Sequence, residues 1–372
     1  MKIHWRDIPQ ARNSYAALYA ACERAGYILH PVPAPEPDIT CYSLNSITAS
    51  RLREEIAGAD CITIAGGPHA SARYEEVARY TDYVIVGEGE YTLPALVRNL
   101  EHGGTGRIPG VADWQGYIPA TTTVLLDAYP PFSTMQGYTE ITRGCPQGCA
   151  YCQTPRLFGC SMRHRSIDAI VASASRHRDQ RFVSPNALAY GSDGIYPRLD
   201  KVEKLLARLQ GMVYFGTFPS EVRPEFVSDA ALSLITKYCA NTRLHFGGQS
   251  GSDRVLAEIH RGHSVGDIVH AVELCREHGL TPVVDFILGF PFETDEDQQE
   301  TLQLIRWVVR HGQVHLHTFF PLPGTPLEGM APRPLIPEAH RILGRLSLEG
   351  KLTGFWGGNE VRFLRRGLNN GT

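Results

Sequence analysis

Arg143-Gly144-Cys145-Pro146-Gln147-Gly148-Cys149-Ala150-Tyr151-Cys152 places three cysteines within eight residues, directly after Tyr138 to Thr142, a stretch that reads as a β-strand. Gly144, Pro146 and Gly148 let the loop fold back tightly, so that Cys145, Cys149 and Cys152 can face one small metal centre. Structural zinc takes four protein ligands and catalytic zinc three plus water, with paired Cys-x2-Cys knuckles as the usual signature. A Cys-x3-Cys-x2-Cys loop suits an iron-sulfur cluster better, and since most clusters take four cysteines, three leave one iron open to a small molecule. Cys160 follows in a different local frame, after Arg156-Leu157-Phe158-Gly159, and reads as a core thiol or loop residue rather than a fourth ligand.

Outward from this loop, apolar runs alternate with helical patterns, the rhythm of α/β proteins with parallel sheets. After Tyr138 to Thr142 come helix Ile167 to His177 and strands Leu188 to Tyr190, Val213 to Thr217, Leu244 to Gly247, Val283 to Leu288 and Val314 to Thr318. Six βα repeats predict a partial (βα)6 barrel. A helix after the fifth strand carries Asp295, Glu296 and Asp297 in its first turn and Arg306, Arg310 and His311 near its end, the charge order a helix dipole favours. Leu302, Leu304, Ile305, Val308 and Val309 supply its buried stripe.

An earlier series has strands Lys2 to Trp5, Tyr27 to Val32, Ile39 to Ser43, Cys61 to Ala65 and Tyr83 to Val86, with helices Ser14 to Arg24, Ala49 to Ala57, Tyr74 to Tyr80 and Leu93 to Leu100. That predicts a doubly wound, Rossmann-like sheet whose ligand sits at the loops Gly66-Gly67-Pro68-His69 and Gly87-Glu88-Gly89-Glu90. The expected division is 1–105 for this domain, 106–136 for a Gly- and Pro-containing linker, 137–330 for the barrel and 331–372 for a short C-terminal extension, read as a cap on the barrel's open side.

The chain has 372 residues, 43% hydrophobic and 20% charged, with a net charge of -3. That is an ordinary globular composition in two domains, without the basic field nucleic-acid binding needs. No charged-then-apolar leader or long apolar run marks a membrane, so a cytoplasmic protein is expected, whose nine cysteines are thiols or metal ligands rather than disulfides.

The cysteine loop, its place after the first barrel strand and Tyr151 before the last cysteine resemble the radical S-adenosylmethionine (SAM) superfamily. His245-Phe246-Gly247-Gly248-Gln249-Ser250-Gly251-Ser252 resembles its fourth-strand segment near SAM, and Ile287-Leu288-Gly289-Phe290-Pro291-Phe292-Glu293-Thr294 its fifth-strand segment near the adenine. Phe320-Pro321-Leu322-Pro323-Gly324-Thr325-Pro326-Leu327 matches the usual exit from the sixth strand. The resemblance implies a four-iron four-sulfur (4Fe-4S) cluster on Cys145, Cys149 and Cys152, with SAM chelating the open iron and yielding a 5'-deoxyadenosyl radical. It further implies SAM contacts from Tyr151, Glu221, Arg223, Gly248, Gln249, Ser250, Gly289 and Glu293. The residues alone also allow Glu221 with Arg223 as a surface ion pair and Glu293 as a helix cap.

Thr63 to Ala70 and Val84 to Glu90 resemble the cobalamin-binding domain in front of many radical SAM enzymes, and Leu126-Asp127-Ala128-Tyr129-Pro130-Pro131-Phe132 is similar to that class's linker. Cobalamin contacts are then implied for Gly66, Gly67, Pro68, His69, Gly87, Glu88, Gly89 and Glu90. The Asp-x-His-x-x-Gly loop of carriers whose His coordinates cobalt does not occur in this sequence, so His69 reads first as a packing or hydrogen-bonding residue.

The class resemblance implies a cobalamin-dependent methyltransferase that uses methylcobalamin, SAM and an external electron donor to methylate an unactivated carbon of a peptide or protein, with no nucleic-acid or membrane partner. Within the class, the compact architecture looks most like the glutamine C-methyltransferase acting on the alpha subunit of methyl-coenzyme M reductase in methanogens. The alternative is a radical SAM enzyme without functional cobalamin, a methylthiotransferase or one catalysing a rearrangement. Methylthiotransferases share the Gly-Gly-Gln-Ser-Gly-Ser segment but usually carry further cluster cysteines upstream and a nucleic-acid module behind.

Overall fold

The computed structural model describes residues 1–129 and 138–356. The expected linker residues Pro130, Pro131 and Phe132, with Gly357-Gly358 and the basic Arg362 to Arg366, lie outside the described residues. The chain forms two compact units, residues 1–139 with 156–158, and residues 140–155 with 159–372.

The first unit is built on strands β1 (Ile3–Arg6), β2 (Leu29–Val32), β3 (Ile39–Ser43), β4 (Ile62–Gly66), β5 (Tyr83–Ile85), β6 (Val111–Asp113) and β7 (Gly116–Tyr117), in spatial order β2-β1-β3-β4-β5-β6-β7. The first five are mutually parallel. Helices Arg12–Arg24, Ser46–Ala57 and Thr92–Glu101 flank the sheet, and β3 is buried along its whole length. Asn45 starts the second of these helices: its side chain accepts from the N–H groups of Ile47 and Thr48 while Thr48 caps back. Sheet order reverses between β1 and β3, so the ligand crevice of such a sheet opens at their carboxyl ends and those of β4 and β5.

The expected linker 106–136 is corrected in part, because β6 and β7 extend this sheet as an antiparallel hairpin. Asp113 shapes its turn by accepting from Gln115 N and Gly116 N. Strands of three and two residues are too short to show a period-2 pattern. Leu126–Ala128 forms a single 3₁₀ turn.

The second unit contains β8 (Thr139–Glu140), β9 (Thr142–Arg143), β10 (Arg163–His164), β11 (Asp179–Val183), β12 (Met212–Tyr214), β13 (Arg243–Gln249), β14 (Thr281–Leu288), β15 (Gln313–Thr318) and β16 (Leu352–Phe355). The series β12-β11-β8 and β13-β14-β15-β16 are joined where Val222, just past β12, pairs in parallel with Phe246 of β13. This is a partial parallel barrel. On β14 and β15, Val284, Phe286, Leu288, Val314 and Leu316 are fully buried against the helices, whereas Asp285, His315 and His317 alternate with them on the inner face. Helix Asp295–Val308 forms where its charge order placed it, with a capping box between Thr294 and Asp297.

Two expectations are corrected here. Leu188 to Tyr190 is not the second strand; Ala187–Ala189 is a buried 3₁₀ turn, and the strand is Asp179–Val183. Its charged and amide residues disguise it, since Gln180 is buried by donating to the Gln210 carbonyl and Arg181 stacks on Tyr214 and donates to Thr217. The C-terminal extension is more than a cap, because after helix Pro337–Leu348 it contributes β16, which pairs in parallel with β15.

Candidate cofactor site

The cysteine loop is pinned on several sides. Cys145 N donates to Gly159 O, Ala150 N to Ile259 O, and Gln147 Nε2 to Gly194 O. Gly144 has φ +85°, and a β-carbon there would stand 2.2 Å from Ser161 O, so the loop closes only with glycine at this position. Burial raises the Cys145 thiol above its ordinary pKa, and Cys152 and Cys149 raise it further, so the three sulfurs lie within electrostatic reach of one another. Among the described residues no three His, Cys, Asp or Glu side chains converge on a single metal ion. Thr154 N donates to Cys152 Sγ at 3.4 Å, while Cys160 is exposed and thus a loop residue.

Two guanidinium groups meet Cys149 Sγ, Arg223 Nη1 at 3.9 Å and Arg261 Nη1 at 3.8 Å. Arg223 is buried, is held by Glu225 at 2.5 Å, and donates to Arg261 O. Burial alone would raise the Glu225 carboxyl, but His263 and Arg223 bring it down to about 2. His263, itself pushed below its ordinary value by burial, lies 3.5 Å from Glu225 and bonds the Gly248 carbonyl oxygen. Arg261 donates to Gly247 O at 3.0 Å and stays charged because Tyr151 and Cys149 outweigh its burial. The surface-pair reading of Glu221 with Arg223 is overturned: Arg223 pairs with Glu225, and Glu221, raised by burial, is electrostatically coupled to Asp285.

Tyr151 packs against Phe290, whose ring stacks on Phe292. Gln249 sits in the left-handed region at φ 66°, at the bulge where β13 leaves register with β14. Ser250 is fully buried with its hydroxyl on Thr301, and Ser252 donates to Asp297. Glu293 is not the cap, which is Thr294; its Oε2 accepts from Gly289 N, and burial lifts the carboxyl to about 7. A β-carbon would stand 2.8 Å from Arg333 O at Gly289 and 2.8 Å from Val284 Cγ1 at Gly248, so both positions pack closely against protein.

Among the described residues, the buried side-chain atoms without a hydrogen-bond partner include both polar atoms of Asn186, Arg261 Nε and Glu293 Oε1. Asn186, only 3% exposed, closes β11, and the next residue donates from Ala187 N to Glu221 O. Buried polar groups left unpaired imply a water, an ion or a ligand. Of these groups Arg261 lies on a cysteine sulfur, and donors and acceptors of this kind suit an amino-acid-bearing ligand. Asn186, Glu225, Arg261, His263 and Asp285 were missed because each is a lone polar residue in the sequence, and only the barrel brings them together.

In the first unit, the loop after β4 begins the short helix Pro68–Ala72, with His69 N donating to Leu44 O. Gly87 N donates to Ser71 Oγ, so the two glycine loops are bonded to each other. Glu88 accepts from Val124 N, and Glu90 is buried. A β-carbon on Gly89 would stand 2.9 Å from Leu18 Cδ2, whereas one on Gly66 would come no nearer than 3.8 Å to anything.

Residues 139–305 match the family described as the Radical SAM superfamily. The matched stretch is similar to a radical SAM domain and includes most of the partial barrel described above. Among curated relatives, the tRNA-2-methylthio-N(6)-dimethylallyladenosine synthase of Geobacter sulfurreducens is 28% identical over 268 residues, covering 68% of this chain and 56% of the relative. Its Aquifex aeolicus counterpart is 30% identical over 220 residues, covering 55% and 49%. The chain spans about half the length of these relatives. Among solved structures, the radical SAM methyltransferase TsrM from Kitasatospora setae, with cobalamin and a 4Fe-4S cluster bound, superposes with TM-score 0.67 at 16% identity over 88% of this chain and 74% of that one. The cobalamin-dependent SAM radical enzyme OxsB, with aqua-cobalamin and SAM bound, gives 0.61 at 13% over 98% and 56%. The fold, a Rossmann-like domain before a radical SAM barrel, is shared with these proteins.

Proposed function

We propose that this protein is a cobalamin-dependent radical SAM C-methyltransferase acting on an unactivated sp3 carbon. The observation that carries the proposal is the loop Cys145–Cys152, with its thiols within electrostatic reach of one another, Arg223 and Arg261 on Cys149, and the unpartnered Asn186 on a neighbouring strand end. A 4Fe-4S cluster on these thiols, with SAM on its open iron, supplies the electron and the carbon radical chemistry. The chain's own share is position and dryness. Arg223 and Arg261 hold positive charge at the thiol that keeps the cluster, Asn186 offers a donor and an acceptor to an amino-acid group, and Tyr151 with Phe290 forms an apolar wall. The fold shared with TsrM and OxsB supports cobalamin in the first unit, at the loops Gly66 to His69 and Gly87 to Glu90.

The finer reading, suggested by the resemblance, is methylation of a glutamine α-carbon in a peptide or in methyl-coenzyme M reductase. Anaerobic reconstitution with iron, sulfide, cobalamin and methyl-deuterated SAM tests the proposal. A cobalamin absorption band, 5'-deoxyadenosine, and a deuterated methyl on a glutamine peptide are expected; 5'-deoxyadenosine without cobalamin uptake would overturn it. The curated relatives favour a second reading, methylthiolation of an adenosine in tRNA, which predicts sulfur transfer to tRNA in the same mixture and no cobalamin band.

A further inference from the structure

The proposed function requires only that Cys149 bind iron, yet the structure builds more around it than ligation needs. Two arginines from different loops, Arg223 buried and Arg261 half-buried, point Nη1 at the same sulfur, at 3.9 and 3.8 Å. Each is fixed at a second point, Arg223 on Glu225 and Arg261 on Gly247 O at 3.0 Å. Arg223 also donates to the carbonyl of Arg261, which ties the two together. Gly247 admits both the Gln249 side chain and Arg261, since a β-carbon there would stand 2.2 Å from Gln249 Nε2 and 2.7 Å from Arg261 Nη2. Placing two charged groups in a buried site is costly unless the charge they face is negative. A thiolate ligand of a cluster is such a charge, and it grows when the cluster takes an electron.

We propose that Arg261, with Arg223 beside it, is a positioning residue that raises the reduction potential of the cluster through N–H···S bonds to Cys149 Sγ. Hydrogen bonds and fixed positive charge at a ligand sulfur favour the reduced, more negative cluster over the oxidised one. Among the described residues, the backbone N–H of Gln147 reaches Cys145 and that of Thr154 reaches Cys152, whereas both guanidinium N–H···S bonds fall on Cys149, at one corner of the cluster. This inference rests on the cluster being held by Cys145, Cys149 and Cys152.

The test compares reconstituted full-length wild type with Arg261→Met, Arg261→Lys and Gly247→Ala, by iron and sulfide content and by dithionite titration followed by electron paramagnetic resonance. Expected are unchanged iron per chain and, for Arg261→Met, at least a tenfold loss in the equilibrium favouring reduction, about 59 mV for one electron. Arg261→Lys should recover part of that shift, because charge remains while the fork is lost. Gly247→Ala keeps both arginines but crowds Gln249 and the Arg261 guanidinium, and should shift the potential in the same direction even if Arg261→Met fails to fold. Iron-loaded Arg261→Met or Gly247→Ala with the wild-type potential overturns the inference. Wild type that takes up no iron overturns the cluster assignment instead.

Discussion

A β-carbon on Gly67 would stand 2.9 Å from both the backbone nitrogen and the backbone oxygen of Leu44. The loop after β4 lies flush on the loop after β3, with Leu44 N donating to Gly66 O and His69 N to Leu44 O. At φ +92° Gly67 is also in the left-handed region. Its role is to join two strand ends, and Gly89 likewise makes room for Leu18. Gly67→Ala should therefore destabilise the first unit by ~1–3 kcal/mol, through overpacking and backbone strain, whether or not cofactor is present. Gly66→Ala meets nothing closer than 3.8 Å and should melt like wild type. Equal melting of Gly67→Ala and wild type would show that this contact is not close in solution.

Cys145→Ala, Cys149→Ala and Cys152→Ala should each abolish cluster assembly, while Cys160→Ala, at an exposed position, should keep it. Iron and sulfide per chain decide the point. Full loading of any of the first three would remove the assignment.

Asn186 is buried with its amide nitrogen and oxygen both unpartnered. Replacing such a group by an apolar one of similar shape is neutral or stabilising, whereas a ligand bound to it is lost. Asn186→Leu should leave the apoprotein's melting temperature unchanged or higher and weaken SAM binding tenfold or more, read by equilibrium dialysis. A less stable variant with wild-type SAM affinity would contradict a ligand role.

Burial lifts Glu293 from 4.5 to about 7. The folded state thus holds this proton more firmly than the unfolded chain. The stabilisation is complete below pH 4.5 and fades as pH rises through about 7, by up to ~3 kcal/mol at 1.36 kcal/mol per unit. Denaturant unfolding of Glu293→Gln should lack this decline. Parallel stability curves for the two proteins between pH 4.5 and 8 would refute the assignment.

His69 starts a short helix and gives its backbone N–H to Leu44. Because the Asp-x-His-x-x-Gly loop does not occur in this sequence, cobalamin in the first unit is expected with its own base detached and no protein nitrogen on the lower face of cobalt. Electron paramagnetic resonance of the cob(II)alamin form should show single cobalt lines, unchanged in His69→Ala; a triplet lost in His69→Ala would show an axial histidine, and one that persists would show a nitrogen other than His69, such as the cofactor's own base, on cobalt.

The strands of both units were legible wherever apolar runs met glycine, as at Ile62–Gly66 and Thr281–Leu288. So was the cysteine loop, because its three ligands are local in sequence. β11 was not, since its Gln180 and Arg181 are satisfied by partners some thirty residues away. The electrostatics of the site were hidden for the same reason: Cys149 and Arg261 are 112 positions apart. Sequence marks glycines as places where room is needed without naming the protein atoms beside them, such as Leu44 at Gly67 and Arg333 at Gly289.

β16 changes what truncation means for this chain. Cutting after residue 330, where the barrel was expected to end, would strip the backbone partner from Val314 to His317 and leave a bare strand edge. Such an edge is a template for pairing with another copy. The shortened barrel should therefore be lost to aggregation, and the residues after 330 act as the guard that keeps one barrel from zipping onto the next.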